Sequence, residues 1–140
     1  MVRIRKKVGL MALLLTICLF TLSACGGNKL SGEFDQNQVE EMATNVVKLV
    51  NKGNAEGIQI LCNDEMKEAM TDDVLNQVFA AVKEFGEYEE ISNIEVREIK
   101  DKSSDKPIAV TVLKAKYTDK KATYTISFDT DMKLAGLYIK

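Results

Sequence analysis

The run Ile108-Ala109-Val110-Thr111-Val112-Leu113-Lys114-Ala115-Lys116-Tyr117-Thr118-Asp119-Lys120-Lys121-Ala122-Thr123-Tyr124-Thr125-Ile126-Ser127-Phe128-Asp129 decides the fold. Two β-rich segments flank a polar Thr-Asp-Lys-Lys turn, and each alternates side-chain character with period two. A connection this short joins antiparallel neighbours. A two-residue turn at Asp119-Lys120 pairs Ala115 with Tyr124, Leu113 with Ile126 and Thr111 with Phe128. One face of the ribbon is then apolar, and the other carries Lys114, Lys116, Thr123, Thr125 and Ser127.

The pattern extends to both sides. Upstream, Ile91 to Glu98 alternates in the same way before the turn cluster Ser103-Ser104-Asp105-Lys106-Pro107. A turn at Ser104-Asp105 pairs Val96 with Leu113, Ile94 with Ala115 and Glu98 with Thr111. Downstream, Leu134 to Ile139 forms a fourth strand. Its alternation leaves two choices, Ala135/Leu137/Ile139 inward or Leu134/Gly136/Tyr138 inward. Four strands in a meander have one apolar face that must be covered.

The cover precedes the sheet. From Gln38, the residues Val39, Met42, Ala43, Val46, Val47 and Val50 form a helical stripe that stops at Lys52-Gly53. Asn54 caps a short helix with Ile58 and Leu61, and Asn63-Asp64 opens another with Met66 and Met70. Thr71 before Asp72-Asp73 is an N-cap signature. Val74, Leu75, Val78, Phe79, Val82 and Phe85 follow at helical spacing, with Gly86 expected at C′. The expectation is an α+β domain over residues 38–140, its helices packed on one face of a curved four-stranded antiparallel meander.

The N-terminus carries an address. Arg3, Arg5, Lys6 and Lys7 precede an apolar run from Val8 to Phe20. That run is shorter than the ~20 residues needed to span a bilayer, and its basic head is that of a secretory signal. Leu22-Ser23-Ala24-Cys25 follows, and resembles the lipobox of bacterial lipoproteins. The resemblance implies removal of residues 1–24 and diacylation of Cys25, with residues 25–37 a tether. Two acyl chains hold a protein stably on a membrane where one does not. The expected location is the extracytoplasmic face of the bacterial cell membrane, through an N-terminal diacylglycerol anchor of palmitate-type chains.

Composition excludes much chemistry. The 116 residues from Cys25 to Lys140 carry 15 Lys+Arg against 21 Asp+Glu, a net charge of −6. An acidic domain is not suited to nucleic acid. The chain has no histidine, which removes Ser-His and Cys-His nucleophile pairs and histidine-bearing metal sites. Cys62 would be the one thiol left beside the lipidated Cys25, and its apolar neighbours Ile58, Ile60 and Leu61 make it a small core residue. The acids Glu84, Glu87, Glu89 and Glu90 lack the spacing of a calcium loop. Asp129-Thr130-Asp131 reads as turn chemistry. No metal and no cofactor is expected.

The succession of elements also resembles a known family. Gly53-Asn54 between helices, Met66-Lys67, Thr71, Phe85-Gly86 and Phe128-Asp129 before Lys133-Leu134-Ala135-Gly136-Leu137 carry the likeness. The family is a bacterial domain of unknown function, assigned to the nuclear-transport-factor-2-like (cystatin-like) superfamily and common in Firmicutes. It occurs as lone lipoproteins and ahead of α/β-hydrolase domains. The resemblance implies a cone-shaped scaffold with a pocket between helices and sheet, and it brings no catalytic signature.

The functional expectation is therefore a membrane-anchored, non-catalytic module that binds a small ligand or a cell-envelope protein. The alternative is an isomerase- or dehydratase-type enzyme with an inward carboxylate and an oxyanion-stabilising tyrosine. Its candidate residues are Glu98, Thr111, Tyr117 and Tyr124 on the inward face. A homodimer through the sheet's outer face, where Ile99, Val110 and Val112 lie beside Arg97, Lys114 and Lys116, is a third role.

Overall fold

The computed structural model describes residues 30–140. The expected signal segment and the expected lipidation site Cys25 lie outside these residues. The helical layer comes first in the chain. Helix α1 (Gln36–Lys52) starts two residues ahead of the expected Gln38, because the Asp35 carboxylate accepts the Gln38 N–H at 2.9 Å. Its buried stripe is Val39, Ala43, Val46, Val47 and Val50. Gly53 closes it at φ 63°, where its N–H reaches the Leu49 and Val50 carbonyls.

Three shorter helices follow, each opened by the cap residue expected for it. Asn54 accepts the Gly57 N–H ahead of α2 (Ala55–Leu61). Asn63 accepts the Met66 N–H ahead of α3 (Asp64–Ala69). Thr71 accepts the Val74 N–H ahead of α4 (Asp72–Lys83). Such caps satisfy N–H groups that the first turn leaves unpaired. Helix α4 buries Leu75, Phe79 and Val82 and is capped by Glu84, so Gly86 stands beyond the expected C′ position. There, at φ 89°, it turns the chain into the sheet.

Strands β1 (Tyr88–Lys100), β2 (Pro107–Tyr117), β3 (Lys121–Phe128) and β4 (Leu134–Ile139) form an antiparallel meander in that order. The inward face is as expected, but both tested registers differ by two residues. Leu113 pairs with Tyr124 and Thr111 with Ile126, while Ile94 pairs with Leu113 and Glu98 with Ala109. A shift of two leaves every side chain on its own face, whereas a shift of one would invert them all.

The turns explain the shift. Tyr117 N–H bonds Lys120 O, so the β2–β3 turn is Thr118-Asp119. The N–H groups of these two residues bond the Glu87 and Phe85 carbonyls at 2.9 and 3.1 Å, and that tertiary contact selects the turn. The β1–β2 loop, by contrast, is longer than a Ser104-Asp105 turn, since Lys100 pairs with Pro107. Asp101 N–H bonds Lys106 O, and the Asp101 carboxylate accepts from Ser103 and Ser104. The Ser103 N–H bond, followed by the two hydroxyls, holds that carboxyl below its usual range.

Both alternatives for β4 are partly right. Ile139 and Leu137 pair with the inward Tyr124 and Ile126, and a bulge then brings Leu134 opposite the inward Phe128. A bulge adds one residue and so changes the parity of the strand. Cys62 and Asn63 bridge to Leu134, tying the helical layer to the sheet.

Between the layers, Val39, Val46, Val47, Ile58 and Leu75 from the helices meet Leu113, Tyr124, Ile126, Phe128 and Leu134, all fully buried. Phe34, ahead of α1, is also buried in this core. On the outer face Val110 is buried in register between Arg97 and Ser127, and Ile99 is exposed.

Candidate functional site

Two of the four candidate residues meet. Tyr117 closes β2 and Tyr124 lies in β3, both on the inward face and both buried, with their hydroxyls hydrogen-bonded to each other. The Phe85 and Tyr88 rings stand edge-on to Tyr117 at centroid distances of 5.5 and 5.8 Å. Lys120 Nζ lies 5.5 Å from the centre of the Phe85 ring. The Asn51 side chain, whose Nδ2 donates to Val47 O, lies beside the Tyr124 hydroxyl.

Burial raises the Tyr124 hydroxyl far above the ordinary tyrosine range. The Tyr117 hydroxyl adds to this, and Asn51 partly opposes it. Tyr88 is raised as well, by burial first and then by Tyr117 and Glu90. These phenols stay neutral and donate or accept hydrogen bonds, so the cluster holds a polar end of the core in place.

Asn51 and Tyr88, but not Tyr117 or Tyr124, also border a cleft of about 590 Å³ between the end of α1, α4 and the start of β1. Asn51, Lys52, Asn76, Phe79, Lys83, Glu87 and Tyr88 line it. Sequence reasoning missed Asn51, Asn76 and Tyr88. Asn51 follows the buried Val50 on α1, and Tyr88 is two residues past the turn glycine. Neither position signals a site until α1 and α4 are laid side by side.

The other two candidates stand apart from the tyrosines. Glu98 pairs with Ala109 near the opposite end of β2 from Tyr117, eight residues away, or roughly 26 Å of strand. It is half-buried at the sheet's rim, and its Oε2 accepts the Ser31 N–H at 2.6 Å. It therefore receives the incoming chain and is not an inward base. Thr111 is fully buried between Val96 and Ile126, and its Oγ1 has no hydrogen-bond partner. The four residues do not form one pocket.

Cys62 is buried, and its thiol donates to Ile58 O at 3.3 Å. Burial raises its pKa against the opposing charge of Lys67, which keeps it a protonated core thiol. Asp129 Oδ1 accepts the Asp131 and Lys133 N–H groups, as turn chemistry requires. Glu89 pairs with Lys116 at 3.0 Å on the exposed face. Among the described residues no cluster of acids, cysteines or histidines has the geometry of a metal site.

The architecture is shared. An NMR structure of a protein from Ruminococcus gnavus ATCC 29149 superposes with a TM-score of 0.69 at 16% identity. The match covers 79% of this chain and 96% of that one, and at this identity it speaks to fold alone. No curated protein matches the chain. A family model described as "Protein of unknown function (DUF3887)" matches residues 43–137, from α1 to β4. The chain belongs to this family.

Proposed function

We propose that the protein is a non-catalytic module, lipidated at Cys25 and held on the extracytoplasmic face of the membrane, that captures a cell-envelope protein through the surface around α4. The observation that carries this reading is the packing between the layers among the described residues. Large apolar side chains close the space between helices and sheet, and the buried tyrosine hydroxyls satisfy each other. Among the hollows that lie outside that core, two flank α4, and one of these is the most apolar in its lining. In this reading the fold is a nuclear-transport-factor-2-like cone whose interior is occupied by its own side chains.

A second reading, a small ligand, is favoured by the cleft at Asn51, Asn76, Lys83 and Tyr88, where amide, ammonium and aromatic groups converge. The enzyme alternative loses its base, because the Glu98 carboxylate bonds Ser31 and stands far from the tyrosines.

Two readouts test the proposal in intact cells. Labelled fatty acid should enter the wild-type chain and fail to enter Cys25→Ala. A photo-crosslinking residue at the exposed Asn76 should give a protein adduct. A small molecule that copurifies with the chain, is displaced by Asn51→Ala and comes without any protein adduct would favour the second reading.

A further inference from the structure

The two edges of the sheet are built differently. Strand β1 carries Glu89, Glu90, Glu95, Arg97, Glu98 and Lys100 and has two register shifts. Charges and bulges of this kind keep an edge from pairing with another chain. Strand β4, at the other edge, is Leu-Ala-Gly-Leu-Tyr-Ile with no charge. Its start is covered by Cys62 and Asn63 at Leu134, with α3 packed beside it, and among the described residues no strand pairs with the stretch from Leu137 to Ile139 on its outer side.

The direction of its backbone groups follows from the ladder. Thr123 and Lys140 exchange both hydrogen bonds, at 2.8 and 3.0 Å. Antiparallel pairs alternate, so Tyr138 also faces β3, whereas Leu137 and Ile139 turn their N–H and C=O groups outward. A groove of about 270 Å³ lies between this edge and α4, lined by Met70, Val78, Ala81, Phe85, Leu137 and Ile139. Helix α4 supplies a second apolar stripe there, since Val74, Val78 and Ala81 recur at helical spacing outside the core-facing Leu75, Phe79 and Val82, and Phe85 continues it just past the cap. Val74 is 39% exposed and Tyr138 63% exposed.

We propose that an extended segment of a partner protein adds to β4 as a fifth strand. It would bond the Leu137 and Ile139 backbone and seat apolar side chains, at alternate positions, against Val78, Ala81 and Phe85. This deepens the partner-binding reading and rests on it. Strand addition draws affinity from main-chain bonds and specificity from pockets for alternate side chains, and an open edge beside an apolar groove supplies both.

Two other occupants fit less well. The chain's own N-terminal segment enters at Ser31, bonded to Glu98 on the opposite edge. With residues 1–24 removed as proposed, the stretch from Cys25 to that point reaches at most about 20 Å. Crossing three strand spacings takes about 14 Å of it, so too little length is left to pair along β4. A second copy joined β4 to β4 would meet along about 20 Å of strand. A strip that long removes roughly 400 Å² from water, against the ~1,200 Å² of a stable dimer.

The probe is a synthetic peptide of alternating Val and Thr with Lys at its ends, added to the isotopically labelled full chain in detergent micelles. Amide exchange at Leu137 and Ile139 should slow by at least about tenfold, with β1-edge amides unchanged. Ala81→Glu, at an exposed helical position, should weaken binding about tenfold or more, because the carboxylate would be desolvated against the peptide. Lys114→Glu, exposed on the outer face of the sheet, should leave it unaltered. No slowing at millimolar peptide, or slowing indifferent to Ala81→Glu, overturns the proposal. Protection of the same amides by self-association without peptide assigns the edge to a second copy and also overturns it. If the peptide fails while the Asn76 adduct forms, the edge proposal falls and the partner-binding reading stands.

Discussion

Gly86→Ala is the substitution that most directly probes how the tyrosine end of the domain is assembled. Gly86 sits at φ 89°, and a Cβ there would overlap Thr118 Oγ1 and lie 2.8 Å from Asp119 Oδ2. The left-handed backbone alone costs an L-residue about 1–2 kcal/mol. Relieving the overlap moves the Thr118 hydroxyl off the Glu87 N–H, which it accepts at 3.0 Å. Loss of that bond costs a further ~0.5–1.5 kcal/mol. The sum is about 2–3 kcal/mol, with any displacement of Asp119 in addition. Urea unfolding followed by circular dichroism reads it as a lower midpoint at unchanged slope. Thr118→Ala removes the obstructing hydroxyl, so the double variant should lose less than the two single variants together, by roughly 1 kcal/mol. A Gly86→Ala loss under about 0.5 kcal/mol, or strict additivity with Thr118→Ala, would refute both the backbone argument and the packing of the turn against Gly86.

Other outcomes follow from the same packing. Tyr124→Phe should cost about 0.5–1.5 kcal/mol through the lost hydroxyl pair, and it should flatten the alkaline end of the stability profile. Because the folded Tyr124 pKa is raised, its stabilisation is fully present below the unfolded value near pH 10 and is lost as pH rises beyond it. A wild-type profile that stays flat above that pH contradicts the buried neutral phenol. Thr111→Val replaces a buried hydroxyl without a partner by an isosteric methyl, and should be neutral or stabilise by up to about 1 kcal/mol in thermal unfolding. A loss greater than that would show that the hydroxyl is bonded. Ile126→Ala should cost about 2–5 kcal/mol and the outward Thr125→Ala under about 1 kcal/mol, and the reverse order would mean a one-residue slip in β3.

The faces of the sheet were readable because alternation has period two, and burial follows the same period. Register within a face was not, since Leu113 opposite Ile126 and Leu113 opposite Tyr124 satisfy the alternation equally. The choice between them lies in the bonds from Thr118 and Asp119 to Glu87 and Phe85, which join segments over thirty residues apart and leave no local pattern. Strand β4 was ambiguous for a physical reason as well, because its bulge places Leu134 and Leu137 on one face despite their odd separation. Asp35 was missed as a cap because the apolar stripe begins at Val39, and the first turn of α1 carries no signal. Glu98 was placed on the correct face, but parity does not measure coverage. At the rim of β1 the incoming Ser31 segment meets it. Tyr117 and Tyr124 were legible as residues sharing a face, whereas Asn51 and Tyr88 join them only through the packing of α1 and the Gly86 turn.

Photo-crosslinking from the surface around α4 tests the central claim most directly. The full, lipidated chain would carry the crosslinking residue at Asn76 or at Ala81, both exposed on α4, and at Lys114 on the outer face of the sheet as the comparison. After irradiation of intact cells, the account predicts a discrete protein adduct in the membrane fraction from the α4 positions and none from Lys114. Absence of any adduct from α4, or the same pattern from Lys114, would contradict it.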